Sequence, residues 1–242
     1  MRAVGNLVSV VIPALNEAQS IGRVIDSIPV GRLREMGYDV EVIVVDGGSE
    51  DGTAEIARAK GARVYVELRR GYGRAYKTGF ALARGDVIVT GDADGQYPFQ
   101  LIPYLLRVME RYRLDFINTN RFYRHHPEAW SPLRALGNRV LSLAFMALFG
   151  PRVRDCQSGM WVVRRDLLRR MRLSSDGMEF SVEIKALALK MAGDRFLEVP
   201  IYYGRRLSRG TKLRVVRDFL RNLACMALMR VRLLTQRELA SA

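Results

Sequence analysis

The sequence predicts an α/β fold, a mostly parallel sheet flanked by helices and followed by a C-terminal amphipathic helix. Three observations lead there. Over the first hundred residues, short runs of β-branched and apolar residues alternate with helical spacings, the pattern of strands joined by crossover helices. Successive runs end in clusters of polar, turn-forming residues, and open α/β sheets gather their ligands outside the carboxyl ends of their strands. One such end, Asp92-Ala93-Asp94-Gly95-Gln96, sets three oxygen-bearing side chains at alternate positions.

Residues 8–12 read as the first strand, ending at Pro13-Ala14-Leu15-Asn16-Glu17, with helical spacing from Ile21 to Ile28. Residues 40–45 form a second strand, ending at Asp46-Gly47-Gly48-Ser49, and a helix follows from about Asp51. A short third strand spans 62–66, a glycine-interrupted helix 71–84, and the next strand 87–90, which runs into the Asp92 turn. In a parallel sheet these three polar ends converge on one edge. The second half is less regular: a helix over 101–111, a strand over 116–119 leading to Arg121, and a loop holding His125 and His126. Then come an apolar helix over 133–149, a strand over 161–163, a helix over 178–191 and a strand over 196–203. The last helix, 212–234, puts Val216, Phe219, Leu220, Leu223 and Met226 on one stripe, with Arg217 and Arg221 off it.

Charge divides the chain. Residues 1–100 carry 12 basic and 13 acidic side chains and residues 101–242 carry 27 and 12, so the second half supplies the whole net charge of +14. Such an excess suits a phosphorylated substrate, an anionic membrane surface or a nucleic acid. No recognised nucleic-acid module or stacking pattern of aromatics accompanies it, so no nucleic-acid partner is expected. No run reaches the ~20 apolar residues of a membrane span. The two cysteines, Cys156 and Cys225, have neither metal-ligand nor disulfide spacing, which fits a reduced, cytoplasmic setting.

Alternate carboxylates at a strand end suit a hard divalent cation bridging to a diphosphate. They also serve as ordinary turn and helix-cap residues. With the blocks assembled in order, the chain resembles family 2 glycosyltransferases, within them the dolichyl-phosphate mannose synthase and polyprenyl-phosphate glycosyltransferase group. The matching blocks are VVIPALNE (10–17), VIVVDGGSEDGT (42–53), GYGRAYKTGFALARGD (71–86), GDADGQYP (91–98), DCQSGMWVVRRDLL (155–168), EFSVEI (179–184) and EVPIYYGRRLSRGTK (198–212).

The resemblance implies a GT-A, Rossmann-like catalytic domain over residues 1–210 and an amphipathic helix over 211–242. It implies a nucleotide-diphospho-sugar donor and a metal ion, Mg²⁺ or Mn²⁺. Pro13, Asn16, Glu17, Asp46, Asp92 and Lys212 would hold the donor, and Asp92, Asp94 and Gln96 the metal. Arg121, Arg134 and a basic residue within 205–212 would grip phosphates, with Asp94, Asp155 and Arg121 at the reacting centre. The sugar implied is a hexose, mannose first, with UDP-glucose as the alternative donor, transferred to a polyprenyl (dolichyl) phosphate with inversion. The chain departs from the family pattern at Leu15, where an aromatic is usual, and at Asp46-Gly47, where two acids are usual, leaving the nucleotide base open.

A phosphate monoester acceptor has a second pKa near ~6 and attacks without a general base. A hydroxyl acceptor needs one, and Asp155 is the carboxylate nominated, although it can equally cap a helix or pair with Arg152 or Arg154. The last helix is either core packing or, with residues 140–149, a membrane-interfacial face. A chain without spans reaches a bilayer lipid from the surface, as a peripheral cytoplasmic enzyme, or through a membrane-spanning partner.

Overall fold

The computed structural model describes residues 7–207 and 215–241, the last with side chains over 216–234. Seven strands form its sheet: β1 (Leu7–Ala14), β2 (Asp39–Asp46), β3 (Arg63–Val66), β4 (Val87–Thr90), β5 (Phe116–His125), β6 (Trp161–Arg164) and β7 (Phe196–Tyr203). Their order is β3-β2-β1-β4-β6-β5-β7. Only β6 runs against its neighbours, pairing antiparallel with β4 and β5, while the other adjacent pairs are parallel. The carboxyl ends of six strands therefore point to one edge of the sheet, and the reversed β6 begins at that same edge. The segment entering β6 is brought to the site by this reversal.

The helices are α1 (Ala18–Asp26), α2 (Val30–Glu35), α3 (Thr53–Ala59), α4 (Tyr72–Leu82), α5 (Ile102–Arg111), α6 (Pro132–Phe149), α7 (Arg165–Arg170), α8 (Phe180–Ala192) and α9 (Val215–Ser241). They cover both faces of the sheet. Val8, Val10 and Ile12 of β1 face one apolar core with α1, α2, α3 and α5, while Val11 faces another with α4, α6, α7, α8 and α9. Burial on both sides explains why β1, β2 and β4 read as nearly continuous apolar runs, broken in β1 and β2 by Ser9 and Glu41, which hydrogen-bond to each other at 2.6 Å. α4 crosses the sheet closely because Gly79 lies over Val11, where a Cβ would collide with the valine methyl.

The predicted order of elements is recovered, with three differences. α2 and α7 are six residues each, too short for a helical period to emerge from the sequence. β5 runs to His125 and not Thr119, with a register shift against β7 between Asn120 and Arg124; its polar end conceals the strand. His125 accordingly ends a strand and meets Trp130 edge-on at 4.8 Å.

The third difference is in α9. Its core-facing side is Asn222, Met226 and Met229, all buried, with Phe219 and Leu223 packed beside them. Val216, Leu220, Leu228 and Val231 are exposed on the other side. The single stripe read from the sequence is thus two opposite faces. α6, against which α9 packs, likewise leaves Leu133, Leu136, Val140 and Leu143 exposed. Among the described residues no helix is long and apolar enough to cross a membrane.

Candidate active site

A cavity of about 960 Å³ opens at the carboxyl edge of the sheet. Of the residues singled out in the sequence, Pro13, Glu17, Asp92, Asp94, Arg121 and Arg134 line it. Asn16, Asp46, Gln96 and Asp155 do not line it, and Lys212 lies outside the described residues.

The end of the cavity near the expected donor residues is built by interlocked turns. Asp46 is buried and its carboxylate accepts from the Gly48 N–H at 3.1 Å and the Ser49 N–H at 2.9 Å. Asn16 takes a left-handed conformation, φ 48°, which Asn tolerates better than most residues. Its N–H donates to Ser49 Oγ at 2.8 Å and its Oδ1 accepts from the Glu50 N–H at 3.0 Å. Both expected donor ligands therefore clasp the end of β1 to the end of β2. The floor they leave is Gly47, beside Leu15.

Beyond β4 the two aspartates face a shared space. Asp92 Oδ1 accepts from the Tyr72 hydroxyl at 3.1 Å and the Tyr76 hydroxyl at 3.4 Å. Gly159 is required here, since a Cβ would strike the Tyr72 hydroxyl and crowd Asp92. Burial first, and then the charge of Asp94, push the Asp92 carboxyl up to about 7. Burial also raises Asp94, although Arg206 donates to its Oδ2 at 3.0 Å. The same guanidinium donates to Glu17 Oε1 at 2.7 Å.

Two oxygen-donor carboxylates that burial and mutual repulsion drive toward protonation suit a divalent cation, which relieves both. Among the described residues no group of three or more His, Cys, Asp or Glu side chains gathers for a metal, so a cation held here would rest on these two carboxylates and on oxygens from outside the chain. Gln96, expected as a third ligand, is placed otherwise. Its Nε2 donates to the carbonyls of Ala129 at 3.2 Å and Gly204 at 3.1 Å, and its Oε1 accepts from the Tyr203 hydroxyl at 3.0 Å. It zips the segment after β7 to the Asp94 turn, where Leu207 N–H also meets the Asp94 carbonyl at 2.9 Å.

A pH dependence follows. An unfolded Asp ionises near ~3.9, so between there and 7 the folded chain holds a proton on Asp92 that the unfolded chain lacks. The metal-free protein is expected to lose stability as pH rises through this window. Divalent cations bind the ionised pair, so Mn²⁺ affinity should climb through the same window and level off above it. Thermal melts and Mn²⁺ titrations from pH 5 to 8 check both signs.

The basic side of the cavity is assembled from three elements. Arg121, where β5 shifts register against β7, gives Nε–H to Asp155 Oδ2 at 2.7 Å and Nη2–H to Oδ1 at 2.9 Å. Its guanidinium lies 5.2 Å from both the Trp130 and Tyr203 ring centres. Arg134 stands in the first turn of α6, whose N-cap Ser131 accepts its N–H at 3.4 Å. Burial, with Arg121 and Arg206 close by, lowers Arg134 below the usual guanidinium range. Arg121, Arg134 and Arg206 thus border one cavity, a concentration of positive charge that suits an anion.

Asp155 is fully buried. Burial alone would raise its pKa, but the charge and hydrogen bonds of Arg121 outweigh it and hold the carboxyl below its usual range. Both oxygens are occupied, by Arg121 and by the Arg121 and Gln157 N–H groups. The nomination of Asp155 as a base at the reacting centre is therefore corrected: it aims Arg121. Of the alternative partners, Arg152 pairs instead with Asp194. Tyr72, Trp130 and Tyr203 were not legible as site residues, because aromatics in such blocks give no sign of which ring meets a charge. Arg206 falls within the basic segment expected to touch phosphate.

The sequence profile of Glycosyl transferase family 2 matches residues 9–172. The chain belongs to that family. The low-salt glycan biosynthesis hexosyltransferase Agl6 of Haloferax volcanii is 38% identical over 200 residues, 81% of this chain but 47% of that relative, so the chain spans about half its length. The dolichyl-phosphate hexose transferase of the same organism is 34% identical over 209 residues, 85% of this family 2 chain and 86% of that one. Among solved structures, glucosyl-3-phosphoglycerate synthase from Mycobacterium tuberculosis, with Mn²⁺, UDP-glucose and phosphoglyceric acid, superposes with a TM-score of 0.73 at 26% identity, covering 93% of this chain and 80% of that one. The GT-A architecture expected of the family is the one seen.

Proposed function

We propose that this family 2 chain transfers a hexose, mannose first, from a nucleotide-diphospho-sugar to a polyprenyl phosphate. A phosphate oxygen of the acceptor attacks the anomeric carbon, the bond from that carbon to the diphosphate breaks, and the nucleoside diphosphate leaves with inversion. The observation that carries the reading is the arrangement of Arg121, Arg134 and Arg206 around the cavity, with Asp155 committed to Arg121 and so unable to serve as a base. A dianionic phosphate needs no base, and arginines hold it by position and charge. Asp92 and Asp94 would hold Mg²⁺ or Mn²⁺, which when bound supplies charge to the departing diphosphate. Pro13, Glu17 and Gly47 would border the nucleoside. The dolichyl-phosphate hexose transferase likeness supports the acceptor class, and the Mn²⁺-bound neighbour supports the metal.

The exposed apolar side chains of α6 and α9 support a peripheral membrane position on the cytoplasmic side. Leu133, Leu136, Leu220 and Leu228 stand beside Arg139, Arg217 and Arg221, the composition of an interfacial helix on anionic lipid. Both helices also border the cavity, through Leu141 and Ala224 among others, so a lipid tail could leave it directly into the bilayer. Leu220→Glu with Leu228→Glu is expected to abolish co-sedimentation with phosphatidylglycerol vesicles while leaving nucleotide affinity unchanged.

The deciding experiment offers GDP-mannose, UDP-glucose and UDP-N-acetylglucosamine with a polyprenyl phosphate or with phosphoglycerate, with and without Mn²⁺, and reads products by mass spectrometry. Metal-dependent glycosyl phospholipid from one donor is the expected result. Transfer to phosphoglycerate alone would overturn the lipid acceptor.

A further inference from the structure

Lys185 on α8 is completely buried. Its Nζ donates to the carbonyls of Cys156 at 2.8 Å, Ser158 at 2.7 Å and Ser181 at 3.2 Å, and it lies 5.0 Å from the Trp161 ring centre. Three acceptors match the three N–H donors of an ammonium. A cation taken wholly out of water is costly unless every donor is used and a counter-charge is near. The carbonyls meet the first condition. The charge of Asp155 meets the second only in part, since burial still pulls the Lys185 ammonium down to about 7.

Two of those carbonyls belong to the segment entering β6, which holds Asp155. Other partners fix the same segment. Glu198 accepts from the Arg154 N–H at 3.0 Å and the Asp155 N–H at 3.2 Å. The Gly159 N–H donates to the Tyr97 hydroxyl at 2.6 Å, and the Gln157 amide reaches Asn222 of α9 at 2.9 Å. Lys185 is the group beneath it, gripping the backbone on both sides of Gln157. Its position therefore bears on the Asp155 carboxylate, and through that on the one guanidinium orientation two parallel hydrogen bonds allow.

We propose that Lys185 is a positioning residue for phosphate recognition: it fixes the 156–158 backbone so that Asp155 holds Arg121 facing the cavity. This rests on the phosphate-acceptor reading above. A lysine with only a structural role would weaken every ligand alike when replaced. A positioning lysine weakens the phosphate and spares the nucleotide.

The test measures farnesyl phosphate binding by calorimetry in the presence of Mn²⁺ and UDP or GDP, and nucleotide binding separately. Lys185→Gln is expected to weaken farnesyl phosphate about tenfold and to leave nucleotide affinity within about twofold. Arg121→Lys, which keeps the charge but loses the two-pronged grip, should cost a similar factor. The double variant should be little worse than either single one, because both act through one guanidinium. Lys185→Met, which fills the same volume with no charge to bury, takes the place of Lys185→Gln if that variant does not fold. Additive losses, or equal losses of nucleotide and phosphate, overturn the proposal. So does unchanged phosphate binding by the Lys185 variant where the wild-type chain binds it. Failure of the wild-type chain to bind farnesyl phosphate overturns the acceptor reading itself, and the proposal with it.

Discussion

Asp94→Ala is expected to reduce glycosyl transfer by about a thousandfold or more, the scale of losing a metal clamp and the charge stabilisation it supplies. Asp94 stands where three needs meet: one oxygen accepts the Gln96 N–H at 3.1 Å, the other faces Arg206 at 3.0 Å, and Asp92 shares its space. Alanine removes all three side-chain roles while its own carbonyl still accepts from the Leu207 N–H, so the turn persists. Mn²⁺-dependent nucleotide binding, read by calorimetry, should vanish along with turnover, and thermal stability should change little. Asp94→Asn separates the roles, since an amide oxygen still caps Gln96 but brings no charge. A variant keeping more than a tenth of wild-type activity would remove Asp94 from the metal set.

Asp155→Asn is expected to destabilise the fold by about 3–5 kcal/mol, the cost of stranding a buried charge. The amide carries one oxygen for a guanidinium that now uses two, and its NH₂ confronts a donor. The sign of the pH effect follows from the depressed carboxyl. Its folded pKa lies below the unfolded value, so the stabilisation is fully present above pH ~4 and is lost as pH falls through the folded value. Urea unfolding should therefore show the largest gap between wild type and variant near pH 7 and a shrinking gap toward pH 3. Activity should fall with stability, and farther, because Arg121 loses its aim. An equal gap at both pH values would show that the carboxylate charge is not what holds Arg121.

Much of this was legible in the sequence because it rests on local signals. β1, β2 and β4 are buried on both faces over most of their length, so they are largely apolar, with Ser9 and Glu41 satisfying each other, while their carboxyl ends turn polar. The Asp92 and Asp94 pair could be placed from the strand before it. Side-chain partnership across distant segments could not. Nothing in the order of residues says that Asp155 meets Arg121 and not Arg152 or Arg154, or that Gln96 spends its amide on Ala129, Gly204 and Tyr203. Those choices depend on the reversal of β6, which brings residues 155–159 to the carboxyl edge, and a reversed four-residue strand has the same composition as a parallel one. The long helix α9 shows the same limit, since its apolar residues cover two faces and only packing against α6 and α8 tells them apart.

The guanidinium of Arg206, held between Glu17 and Asp94, is expected to set the order in which metal and nucleotide add under the proposed function. It neutralises part of the Asp94 charge, so a divalent ion that enters alone must compete with a tethered cation. A metal arriving on a nucleotide diphosphate brings the anion that Arg206 can turn to. Binding of the two is then synergistic. Titrated alone, Mn²⁺ should bind weakly, and its apparent affinity should rise with nucleotide concentration, the mark of a binary complex adding as one ligand.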